Sequence, residues 1–205
     1  MEIVVWTDDV GKKELELKGA AINYSIVDSF QKLIECKNAS AYFILTDQYV
    51  LAQLNMLPAV PVIFHSVDKT LSDLNLPYNF SRVNAWATFL QRQTWEVAGN
   101  VENAAKVFEE LNWAFKATAD NRGMVSARIV AMIINEAYYA LGEGVSSKEE
   151  IDIALKLGTN YPYGPFEWAS KIGFEKIVSL LNILSSENNV YAIAPLLLKE
   201  VKELV

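Results

Sequence analysis

One histidine and one cysteine limit the chemistry this chain can do. His65 closes the apolar run VPVIF and is followed by Ser66. Open α/β sheets place ligands beyond the carboxyl ends of their strands. An imidazole there can accept a proton near neutral pH, and a lone strand-end histidine can equally be structural; both readings stay open. Cys36 excludes an intrachain disulfide, fits a reducing compartment and reads as a nearly buried helical thiol. With one histidine and no C-x-x-C pair, zinc would need an all-carboxylate ligand set, so no metal is expected. No G-x-S-x-G elbow or Walker loop occurs. Residues 3–6, IVVW, read as a short buried strand closed by turn residues through Gly11. A dinucleotide-binding unit would carry G-x-G-x-x-G there. The chain has TDDVGKK instead, and two aspartates repel a pyrophosphate.

These positions depend on a layer of alternating strands and helices. AYFILTD (41–47) and VPVIFHS (60–66) are apolar runs rich in β-formers, with helical spacing between them from Tyr49 to Leu57. A strand at Ala21–Tyr24, a helix over Val27–Cys36, a short helix at Leu71–Leu74, a strand over Ser81–Phe89, a helix over Glu102–Leu111 and a strand at Trp113–Ala117 complete the expectation. The alternation implies a mainly parallel sheet. Beyond Asp120, Asn121 and Gly123 the pattern turns helical. Met124–Leu141 is almost continuously apolar, and Gly142 and Gly144 end it. Ser146 and Glu149 have capping-box spacing, and Ile151, Ala154, Leu155 and Leu157 form the apolar face of a helix ended by Gly158. After the loop GTNYPYGP, helices are expected from Phe166, over Phe174–Leu184, and over Tyr191–Val205 with Pro195 in its first turns.

The run EGVSSKEEIDIALKLGTNYPYGPFEWASKIG, preceded by Arg128 and by Asn135-Glu136-Ala137, resembles the C-terminal helical domain of the 3-hydroxyacyl-CoA dehydrogenase family. That family's pattern runs NR, a long apolar helix ending in NEA, EGVAS-x-EDID-x-A-x-K-x-G, then P-x-GP-x-E. The resemblance implies α/β plus all-α: an abbreviated Rossmann-like parallel-sheet domain at residues 1–120, followed by a helical 6-phosphogluconate-dehydrogenase-like domain at 121–205. In the first half the likeness is weaker. PVIFHSV resembles a strand and its NTSS turn, and SRVNAWATFLQRQTWEVAG resembles the segment carrying the family's catalytic histidine.

In the family a histidine takes the hydroxyl proton while hydride leaves for a nicotinamide, a glutamate orients that histidine, and a serine and an asparagine place the substrate. Carried over position by position, the histidine falls on Ala87 and the asparagine on Ala127. The glutamate corresponds to Glu96 and the serine to Ser66, and His65 would be a substitute base from a different geometry. NAD enters by resemblance only, and no cofactor is expected from this chain's own residues. Trp86, Phe89 and Trp95 either line an acyl pocket or form core. The expectation is a 3-hydroxyacyl-CoA dehydrogenase-like protein of fatty-acid metabolism with impaired or absent NAD-dependent activity. The alternative is a non-catalytic acyl-CoA-binding, regulatory or structural dimer.

Across 205 residues the formal net charge is −7 and the pI near 4.8, so no basic face for nucleic acid or anionic membrane is expected. The 52% hydrophobic content suffices for a core. Without a long uncharged apolar run or a leader-like start, a cytoplasmic protein is expected. The resemblance implies a homodimer through the C-terminal helices, as is common in that family, and Val125–Leu141 has more apolar surface than one small bundle hides, so a homodimer through that helix and the helices after Phe166 is expected.

Overall fold

The computed structural model of the chain describes residues 2–18 and 24–203. Residues 1–124 and 125–205 form two compact units. The first is built on a seven-stranded sheet whose centre comes from three apolar runs. These are β1 (Ile3–Thr7), β3 (Ala41–Leu45) and β4 (Val62–His65), in which every residue is buried. Strands without polar alternation require cover on both faces. Leu15 of α1 (Asp9–Leu17) and Ala104, Val107 and Phe108 of α4 (Val101–Glu110) pack with Val5, Phe43 and Ile63 on one face. Phe30 and Leu33 of α2 (Phe30–Glu35) and Leu54 of α3 (Leu51–Leu54) cover Val4, Tyr42 and Phe64 on the other.

With β2 (Tyr24–Val27), β5 (Phe80–Val83), β6 (Thr94–Gly99) and β7 (Ala114–Ala117), the strand order is β2-β1-β3-β4-β5-β6-β7. Every neighbouring pair is parallel except β5 and β6. The chain passes from β2 on one side of β1 to β3 on the other, which makes β1/β3 the topological switch point. Because β6 runs against β5, its amino end meets the carboxyl ends of β4 and β5 along one ridge.

Several local expectations shift, each for a side-chain reason. Asp8 accepts the Gly11 N–H at 2.8 Å and starts α1 where only a turn was expected. The strand from Ser81 stops at Val83, because Asn84 Oδ1 accepts the Trp86 N–H at 2.9 Å and turns the chain. Thr70 and Asp73 bond each other's backbone N–H at 3.0 and 2.9 Å and cap a single turn, but Asn75 at φ 48° stops it there, so Leu71–Leu74 is a turn and not a helix. TWEVAG, for which no element was expected, is β6. Residues 21–23 of the expected second strand lie outside the described residues, and β2 begins at Tyr24.

The second unit contains α5 (Ser126–Gly142), α6 (Lys148–Thr159), α7 (Pro165–Ile172), α8 (Phe174–Glu187) and α9 (Pro195–Glu203). The capping box sits one residue later than expected, on Ser147 and Glu150. Gly158 does not end α6; the stop is Asn160 in the left-handed region at φ 56°. None of α6 is buried, and Leu157 is 82% exposed. Polar groups hold it instead. Asp152 accepts the N–H groups of Phe166 and Glu167 at 2.9 and 3.1 Å, and Lys156 pairs with Glu167 at 3.2 Å. Gly164 leaves room for that carboxylate, since a Cβ there would lie 2.2 Å from Asp152 Cγ. Asn135, buried in α5, donates to the Ala192 carbonyl at 2.8 Å and accepts from the Ala194 N–H at 2.9 Å, tying α5 to the start of α9. The motif residues that carry the resemblance therefore make joints of the helical unit. No helix among the described residues is long and apolar enough to cross a membrane.

Candidate functional site

The ridge at the carboxyl ends of β4 and β5 collects the residues singled out above. His65, Val83 and Val97 stand in one row across β4, β5 and β6. His65 is 2% exposed. The Ala85 N–H donates to Nδ1 at 2.9 Å, which puts the ring proton on Nε2, 3.3 Å from Asp47 Oδ1. Both ring nitrogens are thus engaged, and neither offers a lone pair to a substrate hydroxyl. Ser66 is buried, and its Oγ donates to the Lys69 carbonyl at 2.8 Å, closing the turn after β4. Glu96 lies between Trp95 and Val97, which both join the core beneath α1 and α4. Strand alternation turns Glu96 to the opposite face, whereas His65 lies two residues from Ile63 on the α1/α4 face. The sheet brings His65 and Glu96 to one ridge without letting them face each other.

Ala87 sits in the loop between β5 and β6, and α1 clamps that loop at two points. The buried Glu14 carboxylate accepts the N–H groups of Thr88, Leu90 and Gln91. Thr88 adopts φ 79° to present its amide. Burial pushes the Glu14 carboxyl above the usual range, against the amide bonds that pull it down. One helical turn on, Lys18 Nζ donates to the carbonyls of Arg92 at 2.6 Å and Gln93 at 3.3 Å. It also lies 5.3 Å from the ring centres of both Trp95 and Trp113, and burial pushes its ammonium down to about 8. Sequence reasoning missed this pair. Its only signal is a glutamate and a lysine at i and i+4 beside Leu15, the buried apolar residue of α1. Trp86 and Phe89 are buried in edge contact, and Trp95 packs on Phe43, Phe108 and Trp113, so these aromatics are core.

Arg82 anchors the ridge from within β5 with a fully buried guanidinium. It donates to Asp120 Oδ1 at 2.7 Å and to the carbonyls of Ser66, Lys69 and Asn121 at 3.0, 2.7 and 2.6 Å. Burial lowers its pKa, and Asp120 opposes that.

At the end of β1 the residues do not fit a dinucleotide. A Cβ on Gly11 would lie 2.1 Å from Thr7 Oγ1, so Gly11 fills the place of the glycine that lets helix pack closely on strand. Counting back along W-T-D-D-V-G, the other two glycine places hold Trp6 and Asp8. Trp6 is core, 5.9 Å from the Phe30 ring. The Asp8 carboxylate already occupies the amino end of α1, where a pyrophosphate would sit, and Asp9 adds a second charge. Among the described residues no cluster of three His, Cys, Asp or Glu side chains is placed to hold a metal.

The helical unit carries a groove of about 850 Å³ between α5 and α6. Ile129, Met132, Ile133 and Leu155 line it, with Arg128 and Glu136 among the polar groups. Arg128 Nη1 donates to the Tyr191 hydroxyl at 3.0 Å. Ala127 is fully buried at the start of α5.

Comparison with known proteins separates the two halves. The family described as 3-hydroxyacyl-CoA dehydrogenase, C-terminal domain, matches residues 123–204. A 3-hydroxyadipyl-CoA dehydrogenase of Escherichia coli K12 is 53% identical over 66 residues, which are 32% of this chain and 14% of that protein. A 3-hydroxybutyryl-CoA dehydrogenase of Clostridioides difficile is 41% identical over 86 residues, 41% of this chain and 31% of that protein. The matched stretches thus span under a third of these two relatives. In fold, the chain is similar over 98% of its length to (S)-3-hydroxybutyryl-CoA dehydrogenase from Ralstonia eutropha, covering 93% of that chain with TM-score 0.74 at 17% identity. That likeness establishes the architecture: a Rossmann-like sheet followed by a helical bundle.

Proposed function

We propose that this chain, whose residues 123–204 match the C-terminal domain of the 3-hydroxyacyl-CoA dehydrogenase family, is a dehydrogenase-like protein of fatty-acid metabolism whose own α/β unit does not carry out NAD-dependent hydride transfer. The observation that carries this reading is the Asp8 carboxylate at the amino end of α1, bonded to Gly11 N–H at 2.8 Å. Ala87 at the family's base position, and His65 with both nitrogens engaged, point the same way. Proton abstraction needs a basic lone pair within hydrogen-bond reach of the hydroxyl, and this ridge offers none from these two residues. Ser66 and Glu96 are assigned structural roles, in the turn after β4 and on the outer face of β6.

The test is NADH oxidation with acetoacetyl-CoA, followed at 340 nm, beside an NADH fluorescence titration. Neither turnover nor saturable binding is expected. Saturable turnover that vanishes in a His65→Ala variant would sink the reading and make His65 the base.

A second reading takes the helical unit as the working part: an acyl-CoA-binding, regulatory or structural homodimer. The groove beside α5 and the wholly unburied α6 favour it. Calorimetric titration with acetoacetyl-CoA separates a binder, which gives heat, from a scaffold, which does not.

A further inference from the structure

We propose that Lys18 is a site of acylation by acyl thioesters: the end of α1 holds its amine as a nucleophile that takes the acyl group of a coenzyme A ester into an amide bond. The inference rests on the reading that this chain meets acyl-CoA, and adds the residue that reacts.

A lysine ammonium is stable in water or beside a carboxylate, and Lys18 has neither in full. It is half-buried, its Nζ donates to the carbonyls of Arg92 and Gln93 at 2.6 and 3.3 Å, and the rings of Trp95 and Trp113 stand 5.3 Å away. No carboxylate among the described residues pairs with it. Glu14, one turn earlier on α1, is engaged by the amides of Thr88, Leu90 and Gln91. The indole faces attract a cation, but taking an ammonium out of water without a counter-ion favours the free amine more strongly.

The count of donors agrees. An ammonium carries three N–H bonds, and this site offers two carbonyls. A free amine carries two, gives one to each carbonyl and keeps a lone pair in the third direction. Loss of the proton therefore costs the clamp neither of its hydrogen bonds. Gln93 and Thr94 beside it are exposed, so the amine lies at the edge of the unit, where a reagent in water can reach it.

In the reaction the nitrogen lone pair adds to the thioester carbon. The N–C bond forms and the C–S bond breaks, and coenzyme A leaves as a thiolate that takes up the proton the nitrogen sheds. The amide that results is uncharged and has one N–H, so it can keep only one of the two carbonyl bonds. Acylation thereby loosens the hold of α1 on the loop between β5 and β6.

With its ammonium pushed down to about 8, Lys18 is about one-quarter free amine at pH 7.5, against about 0.1% for an ordinary lysine. Lower basicity weakens the nucleophile and cancels part of that ratio, leaving a rate advantage of about tenfold or more. The test incubates the full chain with acetyl-CoA at pH 7.5 and follows each lysine by peptide mass spectrometry. Lys18 should be acetylated about tenfold or more faster than the exposed Lys13 and Lys37. In urea, where the clamp is gone, the ratio should fall to about one. Lys18→Arg should abolish the fast site and leave the others unchanged. A folded chain whose Lys18 reacts no faster than Lys13, or an excess that persists in urea, overturns the proposal. Calorimetric titration with acetoacetyl-CoA keeps the two readings apart. Heat without selective acetylation overturns the Lys18 site alone, and selective acetylation without heat overturns the binding reading and supports the amine chemistry.

Discussion

Replacing Arg82 by methionine should unfold much of the first unit's stability while leaving the helical unit alone. The guanidinium is fully buried and joins β5 to two loops: the turn at 66–69 and the segment at 120–121. Removing one partner of a buried ion pair costs about 3–5 kcal/mol, because the other charge and its acceptors lose their compensation. Asp120 is 26% exposed and can partly rehydrate, which places the loss near the lower end, about 3 kcal/mol. The buried carbonyls it served find no other donor in methionine and return the figure toward about 4 kcal/mol. Against a total of about 5–15 kcal/mol for a domain, that is a large fraction. Urea unfolding followed by tryptophan fluorescence is the assay, since Trp6, Trp86, Trp95 and Trp113 lie in the first unit and only Trp168 in the second. With a slope of about 2 kcal/mol per molar urea, the midpoint should fall by about 1.5–2 M. An Arg82→Lys variant keeps the charge but cannot reach carboxylate and carbonyls from several directions, so it should recover less than half of the loss. A methionine variant that loses under about 1 kcal/mol at unchanged slope would refute the argument that Arg82 holds the ridge together.

Two further outcomes follow from single contacts. Asp152→Ala should lower the melting temperature of the helical unit by the loss of a two-amide cap, about 1–2 kcal/mol, and Gly164→Ala should do so by collision with the Asp152 carboxylate. A double-mutant cycle with Asp152→Gly, which removes both the carboxylate and the Cβ that would lie 2.4 Å from the added one, should find Gly164→Ala far less costly; full additivity would contradict the shared contact. Lys18 titrates near 8 in the fold against an ordinary 10.5, so the native state holds fewer protons than the unfolded chain between those values. Stability should therefore rise with pH across that window. Solvent screening of a half-exposed ammonium reduces the gain to about 1 kcal/mol. Urea unfolding at pH 7 and 9.5 should reveal that gain in the wild type and its absence in Lys18→Met, and equal pH dependence in both would remove Lys18 as the cause.

What the residues announce in advance depends on how local their burial is. β1, β3 and β4 are legible because each is a run with no polar interruption, the signature of a strand covered on both faces. α1 was not, since DVGKKELEL buries Glu14, and the reason for that lies in amides more than 70 residues away. The ridge divides the same way. Ala87 and the missing glycines can be read from the chain, but the bonds that engage both nitrogens of His65 come from Asp47 and Ala85, neighbours only through the sheet. Glu96 could be numbered from a motif, yet the face it points from is decided by where Trp95 and Val97 find core. α6 carries an ordinary amphipathic pattern, and nothing in its own sequence says that its apolar side stays uncovered within one copy.

Trp6 ties the absence of a dinucleotide fingerprint to the core of the sheet. Its indole is 4% exposed and packs on Phe30 in the sheet core. Glycine at that place would remove a large core side chain, at about 3–5 kcal/mol, before any ligand could offset it. Glycine at position 8 alone would still leave the indole, and a histidine at position 87 alone would stand beside no electron acceptor. No single substitution therefore turns this end of β1 into a dinucleotide site, because a core side chain holds one of the places that glycine would need.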